Sequence, residues 1–495
     1  MPLYPGFEDA IKPKTIAVVG ASRKPLLFGD FVANLQRAGF PGRIYPVNPK
    51  AEGKEIHGLK SYHDLLSIPE HVDLVTATVP AKDIIPMLED CVTVGIKNVQ
   101  IFTAGFKESG EAEGIALEEK LKAIATRGKI NVLGPNCMGL HIPASKITTW
   151  ETLNPEPGHV GFISQSGGHA GTFVIESADY DIRVSKVMSF GNAAVIDSVD
   201  LLEYLAEDPE TKIICMYLEG VKNGGKLTKL VREINKTKPV IIWKGGATPS
   251  GARAAASHTG SLGGEQQVWE AFFRQTGAIR VEGIEELLNQ VMTFLYLRPP
   301  EDNRMALIAG GGGNSVACSD VCDQNGLVLP AFAETTRKAL LKFIVAEGTI
   351  TRNPIDIAFA MVDLDVLIRS LELSAADPNI DFVVFALPPG VILLGASKHT
   401  KNENISFEDA IKKHTNLVLD TLTKFDRENA SGKPLVVVLQ GGLIRFLPGQ
   451  REQLRIDLIN AGIPTYFSLE QASRAIGKFL KYHRFHHHKP KYSLP

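Results

Sequence analysis

The chain has 495 residues, of which 44% are hydrophobic and 22% charged, and its formal net charge at pH 7 is −2. This length exceeds what one hydrophobic core supports, so we expect about three domains, and the composition excludes a disordered chain. The balanced charge excludes the broad basic surface of most nucleic-acid-binding proteins, and no apolar run is long enough to span a membrane. Five scattered cysteines do not form a disulfide pattern, which favours a reducing, cytoplasmic setting.

The first part of the chain alternates short apolar strands with amphipathic helices. Strands are predicted at residues 15–20, 43–48, 72–79, 98–103 and 131–134, and a helix at 31–38 follows the first strand. Continuous apolar strands separated by helices are typical of a parallel sheet that is covered on both faces. The sequence therefore predicts a doubly wound α/β domain over residues 1–145.

Two further α/β domains are predicted after it. In the second, over residues 146–298, strands are expected at 160–164, 184–189, 212–218 and 240–244, and helices at 171–177, 198–207, 225–236 and 266–276. A proline pair at 299–300 indicates a linker. The third domain, over residues 299–482, opens with a strand at 305–309, includes one at 436–439 and ends with a helix at 469–482. The remaining residues, 483–495, contain three consecutive histidines, which we interpret as part of a solvated tail, and we expect no metal site.

A glycine-containing loop, Gly20-Ala-Ser-Arg-Lys-Pro-Leu-Leu-Phe-Gly29, follows the first strand. A loop between a strand and a helix N-terminus presents backbone N–H groups to phosphate. Its spacing differs from Gly-x-Gly-x-x-Gly, and the second strand leads into Val47-Asn-Pro-Lys50 instead of the acidic residue typical of NAD-binding folds. Lys50 suits a ribose phosphate, which coenzyme A carries, although a solvent-facing lysine is the alternative. A dehydrogenase is therefore disfavoured.

A second loop, Ser164-Gln-Ser-Gly-Gly168, also lies between a strand and a predicted helix. Two hydroxyls and two glycines at such a junction can form a compact anion nest. We therefore predict phosphate binding by Ser164, Ser166, Gly167 and Gly168. The next residue, His169, is interpreted as a packing or capping residue.

The third loop, Ala256-Ser-His-Thr-Gly-Ser-Leu-Gly-Gly264, places His258 among small residues that give it little apolar surface to pack against. An imidazole nitrogen is a competent nucleophile toward phosphoryl groups near neutral pH, and it needs a carboxylate on its other nitrogen. Glu219 is the candidate, because it ends a neighbouring predicted strand and ligands of open α/β sheets collect at those ends. We predict His258 and Glu219 as the catalytic pair, on a mobile loop beside the anion nest.

The third domain contributes one further loop, Gly310-Gly-Gly-Gly-Asn314. It can cradle a phosphate or permit close packing of a strand on a helix, and the sequence leaves both open. Cys318 and Cys322 have helical spacing and no evident partner ligands, so we interpret them as packing residues.

Together these residues resemble the alpha subunit of the ADP-forming acetate (acyl)–CoA ligases, relatives of succinyl-CoA synthetase. The matching stretches follow the family's order along nearly the whole chain: Val18-Val-Gly-Ala-Ser-Arg23, Tyr45-Pro-Val-Asn-Pro-Lys50, Ala104-Gly-Phe-Lys-Glu108, Gly134-Pro-Asn-Cys137, Ser164-Gln-Ser-Gly167, Ser189-Phe-Gly-Asn192, Tyr217-Leu-Glu-Gly220 and Ala255-Ala-Ser-His-Thr-Gly260.

The resemblance implies a Rossmann-like CoA-binding domain followed by two flavodoxin-like domains of the succinyl-CoA synthetase type. It implies a reversible reaction in which an acid, CoA and a nucleoside triphosphate give acyl-CoA, nucleoside diphosphate and phosphate. Acyl phosphate forms at the first site, and phosphate passes through a phosphohistidine, carried over here to His258 with Glu219 as its support. Coenzyme A is implied along the first domain, near Gly20, Ala21, Ser22, Arg23, Val47, Asn48, Lys50, Val79, Pro80, Thr103 and, at the thiol end, Asn136.

This sequence departs from the family in two respects. The family needs an ATP-grasp module to bind Mg-nucleotide, and none is found here, so the resemblance implies a separate ATP-grasp beta subunit in an α2β2 heterotetramer. In the third domain, Ala309 precedes the glycines where relatives usually have Thr-Asn. The competing hypothesis is a CoA- or acyl-CoA-binding regulatory protein without full ligase activity, but His258, Glu219 and Ser166 argue against it.

Overall fold

The computed structural model describes residues 3–22, 30–148, 155–259, 265–310, 312–344, 350–357, 362–403, 405–441 and 449–487. By internal packing the chain divides into two compact units, Met1–Ala178 with Ile182–Leu287, and Asp179–Asp181 with Leu288–Pro495. The first unit contains two large sheets and the second unit contains one. The boundaries proposed above for three domains stay predictions.

The first sheet has five parallel strands and is built from the N-terminal part of the chain. Its elements are α1 (Phe7–Ile11), β1 (Thr15–Val19), α2 (Phe31–Arg37), β2 (Arg43–Val47), β3 (Glu55–Ile56), β4 (Leu59–Lys60), β5 (Leu74–Ala77), α3 (Ala81–Val94), β6 (Asn98–Ile101), α4 (Ala112–Gly128) and β7 (Asn131–Leu133). The strand order is β2-β1-β5-β6-β7, while β3 and β4 form a separate hairpin. Four of its five strands are buried along their whole length, as the continuous apolar pattern predicts.

The second sheet has six strands, of which one is antiparallel. Its elements are β8 (Gly139–His141), β9 (Val160–Ser164), α5 (Gly167–Glu176), β10 (Val184–Ser189), α6 (Ser198–Glu207), β11 (Ile213–Leu218), α7 (Gly224–Ile234), β12 (Val240–Lys244), α8 (Pro249–Thr259), α9 (Gln266–Thr276), β13 (Ile279–Val281) and α10 (Ile284–Tyr296). The order is β13-β12-β11-β9-β10-β8, and β8 pairs antiparallel with β10. The sequence did not predict β8, because three residues that include a glycine and a histidine give no apolar run.

Two helices of the second sheet differ from the prediction. α5 begins at Gly167, four residues before the predicted start, because the Ser166 side chain caps it. α8 extends to Thr259, so the interpretation of residues 256–259 as loop was wrong. The alanines before His258, which suggested an uncrowded loop, are strong helix formers and favour the helix instead.

The third sheet forms the core of the second unit. Its elements are β14 (Met305–Ala309), α11 (Gly312–Gln324), α12 (Glu334–Leu340), β15 (Ile355–Asp356), α13 (Leu364–Ala376), β16 (Phe382–Leu387), α14 (Pro389–Glu403), α15 (Phe407–Glu428), β17 (Leu435–Leu439), α16 (Gln450–Asn460), β18 (Thr465–Tyr466) and α17 (Leu469–His487). All its pairs are parallel, in the order β15-β14-β16-β17-β18. α17 continues five residues past its predicted end at Tyr482, so residues 483–487 are helical. Across the described ranges, no helix combines the length and the apolar character needed to cross a membrane.

A buried ion pair lies at the start of β10. The Lys186 ammonium is 2% exposed, 2.8 Å from Oδ2 of Asp208 and 2.6 Å from Oε2 of Glu210. Burial acts to raise the pKa of Asp208, but hydrogen bonds from Lys186 and Thr211 outweigh it and hold that pKa below its usual value. Removing the cation therefore leaves a buried carboxylate without its partner.

We predict that Lys186→Met lowers the free energy of unfolding at pH 7 by about 3–5 kcal/mol, the usual cost of breaking a buried pair. Because the Asp208 pKa is depressed, its contribution is present above the unfolded-state value and is lost as pH falls. The difference in the free energy of unfolding between the variant and the wild type should become smaller below about pH 3.9. Urea unfolding at several pH values would measure it.

The matched control is Lys229→Met, which makes the same change at an exposed position on α7. It should cost less than about 0.5 kcal/mol. If the two variants lose the same free energy of unfolding, the buried ion pair contributes nothing to stability beyond the effect of replacing a lysine.

Candidate active site

The predicted anion nest lies where β9 ends and α5 begins. Oγ of Ser166 accepts the N–H of His169 at 3.3 Å and caps α5. Oγ of Ser164 donates to the carbonyl of Ser166 at 2.6 Å, which fixes the turn. The first N–H groups of a helix have no acceptor within the helix, so those of Gly167 and Gly168 are positioned to bind an anion.

The two glycines of the nest meet different surroundings. A Cβ on Gly167 would lie 2.5 Å from Cγ of Met138, so packing against Met138 excludes any side chain there. A Cβ on Gly168 would meet only Oγ of Ser166, at 3.7 Å. Gly167 is therefore required by packing, whereas Gly168 leaves the helix end open.

Glu219 follows β11 and lies beside the nest, as its position at a strand end predicted. The residue is 4% exposed. Its N–H donates to Oε1 of Gln165 at 2.9 Å, and the Tyr217 hydroxyl donates to its Oε1 at 3.1 Å. Gln165 lies inside the nest, so one side chain joins Glu219 to the turn between Ser164 and Ser166. The sequence analysis did not identify Gln165, although its place between the two serines was a signal.

An aromatic cluster packs beneath this carboxylate. The His169 ring lies 4.5 Å from the Tyr217 ring and 4.4 Å from the Trp243 ring, measured between centroids. His169 therefore packs and its backbone is capped, as predicted. Burial raises the pKa of the Tyr217 hydroxyl, and the charge of Glu219 raises it further, so the hydroxyl stays protonated and donates to the carboxylate.

Lys244 is a second residue that the sequence analysis did not single out. It ends β12 opposite Leu218, is 7% exposed, and its ammonium donates to the carbonyl of Gly245. Its Nζ lies 5.4 Å from the centroid of the Trp269 ring. Burial lowers the pKa of Lys244, and the Glu219 charge opposes that effect. A lysine at the end of an otherwise apolar strand was the available signal.

His258 lies in the last turn of α8, and its side chain is outside the described part of the structure. α8 packs back on the end of β12, where a Cβ on Gly246 would lie 3.2 Å from Cβ of Ala255. It also lies against the turn Lys107–Ser109. The described contacts therefore place the helix but do not join His258 to Glu219, so that pairing stays a prediction.

The predicted CoA residues of the first two strands meet at one edge of the first sheet. The N–H of Gly20 donates to the carbonyl of Val47 at 2.9 Å, and Nδ2 of Asn48 donates to the carbonyl of Ala21 at 2.8 Å. The Asn48 side chain also accepts a hydrogen bond from the N–H of Lys50. Lys50 lies in a short turn and is exposed. Ser22 follows directly, and Arg23 lies outside the described residues.

The remaining CoA candidates line the same edge farther along. Oγ1 of Thr103 donates to the carbonyl of Val79 at 2.6 Å, and Pro80 precedes α3 as its N-cap. The N–H of Asn136 donates to the carbonyl of Thr103 at 3.0 Å. Backbone and side-chain hydrogen bonds therefore connect the predicted CoA residues pairwise across neighbouring strand ends.

The loop after β14 keeps both of its interpretations. α11 begins at Gly312, directly after this loop, and Gly311 lies outside the described residues. Cys318 and Cys322 are buried on α11, and Sγ of Cys322 lies 3.6 Å from Oγ of Ser473. Burial raises the pKa of Cys322 to about 11, which suits a packing residue.

Two family models match successive parts of this chain. A family model described as a CoA binding domain matches residues 14–143, and one described as a succinyl-CoA ligase like flavodoxin domain matches residues 157–294. The acetate–CoA ligase (ADP-forming) II subunit alpha of Pyrococcus furiosus is 34% identical to this chain, over 94% of this chain and 95% of that subunit.

A longer relative and a solved structure are similar along most of the chain. The acetate–CoA ligase (ADP-forming) I of Archaeoglobus fulgidus is 34% identical over 96% of this chain, which spans 63% of that protein. A structure of the "dinucleotide forming Acetyl-coenzyme A synthetase 1" of Ca. Korarchaeum cryptofilum with phosphate and ADP is 30% identical, with a TM-score of 0.78 over 97% of each chain.

The close approach at Gly20 gives a testable prediction. Its φ is +93°, and a Cβ there would lie 2.6 Å from Oγ1 of Thr78. Gly20→Ala should lower the free energy of unfolding by about 2 kcal/mol or more, from backbone strain together with the clash. Urea unfolding would measure the loss.

Gly53 supplies the control, because its φ is +68° but a Cβ there would meet nothing within 4 Å. Gly53→Ala carries the backbone strain alone and should cost about 1 kcal/mol. If Gly20→Ala costs no more than this, the clash with Thr78 has no energetic weight.

Proposed function

Since the chain belongs to the family of ADP-forming acetate–CoA ligases, we propose that it is the part of an acyl-CoA synthetase that binds coenzyme A and carries a phosphorylated histidine. The supporting observation is that Glu219 lies beside the anion nest at one sheet edge, where its backbone N–H donates to Oε1 of Gln165 and Oγ of Ser164 donates to the carbonyl of Ser166. The resemblance stated from the sequence motifs is confirmed by relatives that align over most of the chain.

The proposed reaction is reversible and consists of two transfers from an acyl phosphate. In one, the thiolate sulfur of CoA attacks the acyl carbon, a C–S bond forms, the bond between the acyl carbon and the bridging oxygen breaks, and inorganic phosphate leaves. In the other, an imidazole nitrogen of His258 attacks phosphorus, an N–P bond forms, the bond between phosphorus and the bridging oxygen breaks, and the acid leaves as a carboxylate. In the direction of acyl-CoA synthesis, the same nitrogen attacks the terminal phosphorus of a nucleoside triphosphate, the nucleoside diphosphate leaves, and the phosphohistidine then transfers its phosphoryl group to the acid.

The residue roles follow from charge and position. A carboxylate on the second imidazole nitrogen keeps the attacking nitrogen unprotonated and stabilises the cation, which is the role proposed for Glu219. The N–H groups of Gly167 and Gly168, with the positive end of α5, would hold the phosphoryl oxygens. Lys244 adds a buried positive charge close to the same edge.

Coenzyme A is proposed to lie along the C-terminal edge of the first sheet. Its pyrophosphate would face the loop after β1, where Gly20 allows close approach of the backbone. The exposed Lys50 is placed for the ribose 3′-phosphate, and Asn136 for the thiol end.

Nucleotide binding is proposed to reside in an ATP-grasp part, supplied as a separate beta subunit in an α2β2 assembly. The match to nearly the whole of the Pyrococcus furiosus subunit alpha supports this. The Archaeoglobus fulgidus relative extends beyond the aligned region, so a fused arrangement is the alternative. Five free, buried cysteines suit the cytoplasm.

We predict that the purified chain, incubated with acetyl-CoA and inorganic phosphate, gains one acid-labile, base-stable phosphoryl group by intact-mass analysis. This back reaction passes through acyl phosphate and needs no nucleotide. His258→Asn should abolish the gain while CoA affinity stays within about twofold, because an amide cannot accept the phosphoryl group. Other short acyl-CoAs, tested in parallel, would define the acyl group.

His63→Asn is the matched control, since His63 is exposed in the first sheet's domain. It should be phosphorylated like the wild type. Mg-ATP alone should not label the 495-residue chain, because nucleotide binding is proposed to need the ATP-grasp part. CoA binding without phosphorylation by any acyl-CoA would favour the regulatory binder.

A second prediction concerns Lys50→Ala. If the ammonium binds the ribose 3′-phosphate, the variant should lose about tenfold in affinity for CoA but little for dephospho-CoA, as expected for one charge-assisted contact. Isothermal titration with both ligands would measure this. Lys54→Ala, at a nearby exposed lysine, is the control. If Lys50→Ala loses the same affinity for CoA and for dephospho-CoA, Lys50 does not have the proposed role.

A further inference from the structure

The side chain of Asn192 joins the two sheets of the first unit at the candidate site. Its Nδ2 donates to a carboxylate oxygen of Glu108 and, at 3.0 Å, to Oε2 of Glu118. Its Oδ1 accepts from Nδ2 of Asn136 at 3.4 Å. One amide therefore uses both of its N–H groups and its oxygen on three elements of the first sheet's domain.

Each carboxylate partner is itself fixed. Oε1 of Glu108 accepts the N–H groups of Gly105 and Phe106, at 2.6 and 3.2 Å, and so holds the turn after β6. Glu118 is 2% exposed on α4, with the ammonium of Lys122 at 3.2 Å. Glu118 is buried and Glu108 is partly buried. Carboxylates withdrawn from water require donors, and the Asn192 amide supplies one to each.

The third partner, Asn136, has little freedom to adjust. Its φ is +56°, a region that non-glycine residues rarely adopt. Its carbonyl oxygen lies against Gly191, where a Cβ would come within 2.3 Å. The side-chain contact with Asn192 therefore sets the direction of the Asn136 amide on a backbone that is already constrained.

The helix that carries His258, α8, lies against the turn Lys107–Ser109. That turn is also held by the hydrogen bonds from Gly105 and Phe106 to Oε1 of Glu108, which do not involve Asn192. We therefore expect the loss of the Asn192 amide to affect Asn136, its direct partner at the proposed thiol end, more than α8.

We propose that Asn192 is a positioning residue for acyl transfer to CoA, which it serves by orienting Asn136. This inference rests on the proposed function. The position requires two N–H donors and one acceptor. Alanine supplies none of these, and aspartate would face two carboxylates with a third charge.

The test uses two partial reactions of the purified chain that share one substrate, acetyl phosphate, with propionyl phosphate in parallel. Acetyl-CoA formation from acetyl phosphate and CoA needs the thiol end but not His258. Phosphorylation of His258 by acetyl phosphate needs no CoA. Asn192→Ala and Asn192→Asp should lower kcat for acetyl-CoA formation at least about tenfold, since small misplacements of reacting groups are costly. The KM for CoA and the phosphorylation rate should each change by less than about twofold.

Asn98→Ala is a closely matched control. Nδ2 of Asn98 also donates twice, to the carbonyls of Gly6 and Asp73, and its Oδ1 also accepts from an asparagine, Asn131. It lies at the opposite edge of the first sheet, so its loss should reduce stability without changing the ratio of the two partial reactions.

The outcomes separate the two levels of inference. Three results would overturn the positioning role of Asn192. In the Asn192 variants these are an equal loss of both partial reactions or a change in the KM for CoA alone. The third is the same loss of kcat in Asn98→Ala. If the wild type performs neither partial reaction with either acyl phosphate, the proposed function itself fails, and this inference fails with it.

Discussion

The segment that leaves the first sheet after β7 enters the second sheet as β8, and the candidate site depends on how closely it packs between them. At Gly191 the backbone touches the Asn136 carbonyl, and at Gly167 it touches the Met138 side chain. The N–H of Met138 also donates to Oγ of Ser189, at 3.2 Å. These contacts connect the sheet edge proposed for coenzyme A with the nest proposed for phosphate. Packing along this segment therefore fixes the distance between the two proposed binding sites.

We expect anion binding at the proposed site to depend on local electrostatics and not on the net charge. With a formal charge of −2, the whole chain gives no attractive field for phosphates. The N-terminus of α5 and the buried ammonium of Lys244 act over a few ångströms, where low local polarity strengthens each interaction. Glu219 places a negative charge in the same region, so the phosphate nest and a carboxylate that can support an imidazolium are held close together.

Much of the fold could be predicted from the sequence, because a buried parallel strand needs a continuous apolar run and such runs are visible locally. The placement of Glu219 beside the nest followed from the rule that strand ends of parallel sheets share an edge. The contacts of Gln165 and Lys244 were not predictable, since they depend on which strands become neighbours. β8 was missed because its three residues, which include a glycine and a histidine, give no apolar run. The helical state of residues 256–259 was misread because the same alanines suit a loose loop and a helix.

The strands at the lateral edges of the three large sheets are short or already partly paired. In the three large sheets of the described structure, five of the six edge strands are only two or three residues long, namely β7, β8, β13, β15 and β18. The sixth, β2, has five residues but includes Pro46, which lacks an N–H, and Val47 already forms a bridge with Tyr62. Unpaired N–H and C=O groups along an edge are what recruit a foreign strand in aggregation. These three sheets offer few of them, so they provide little template for strand addition from a neighbouring molecule, as in amyloid growth or domain swapping.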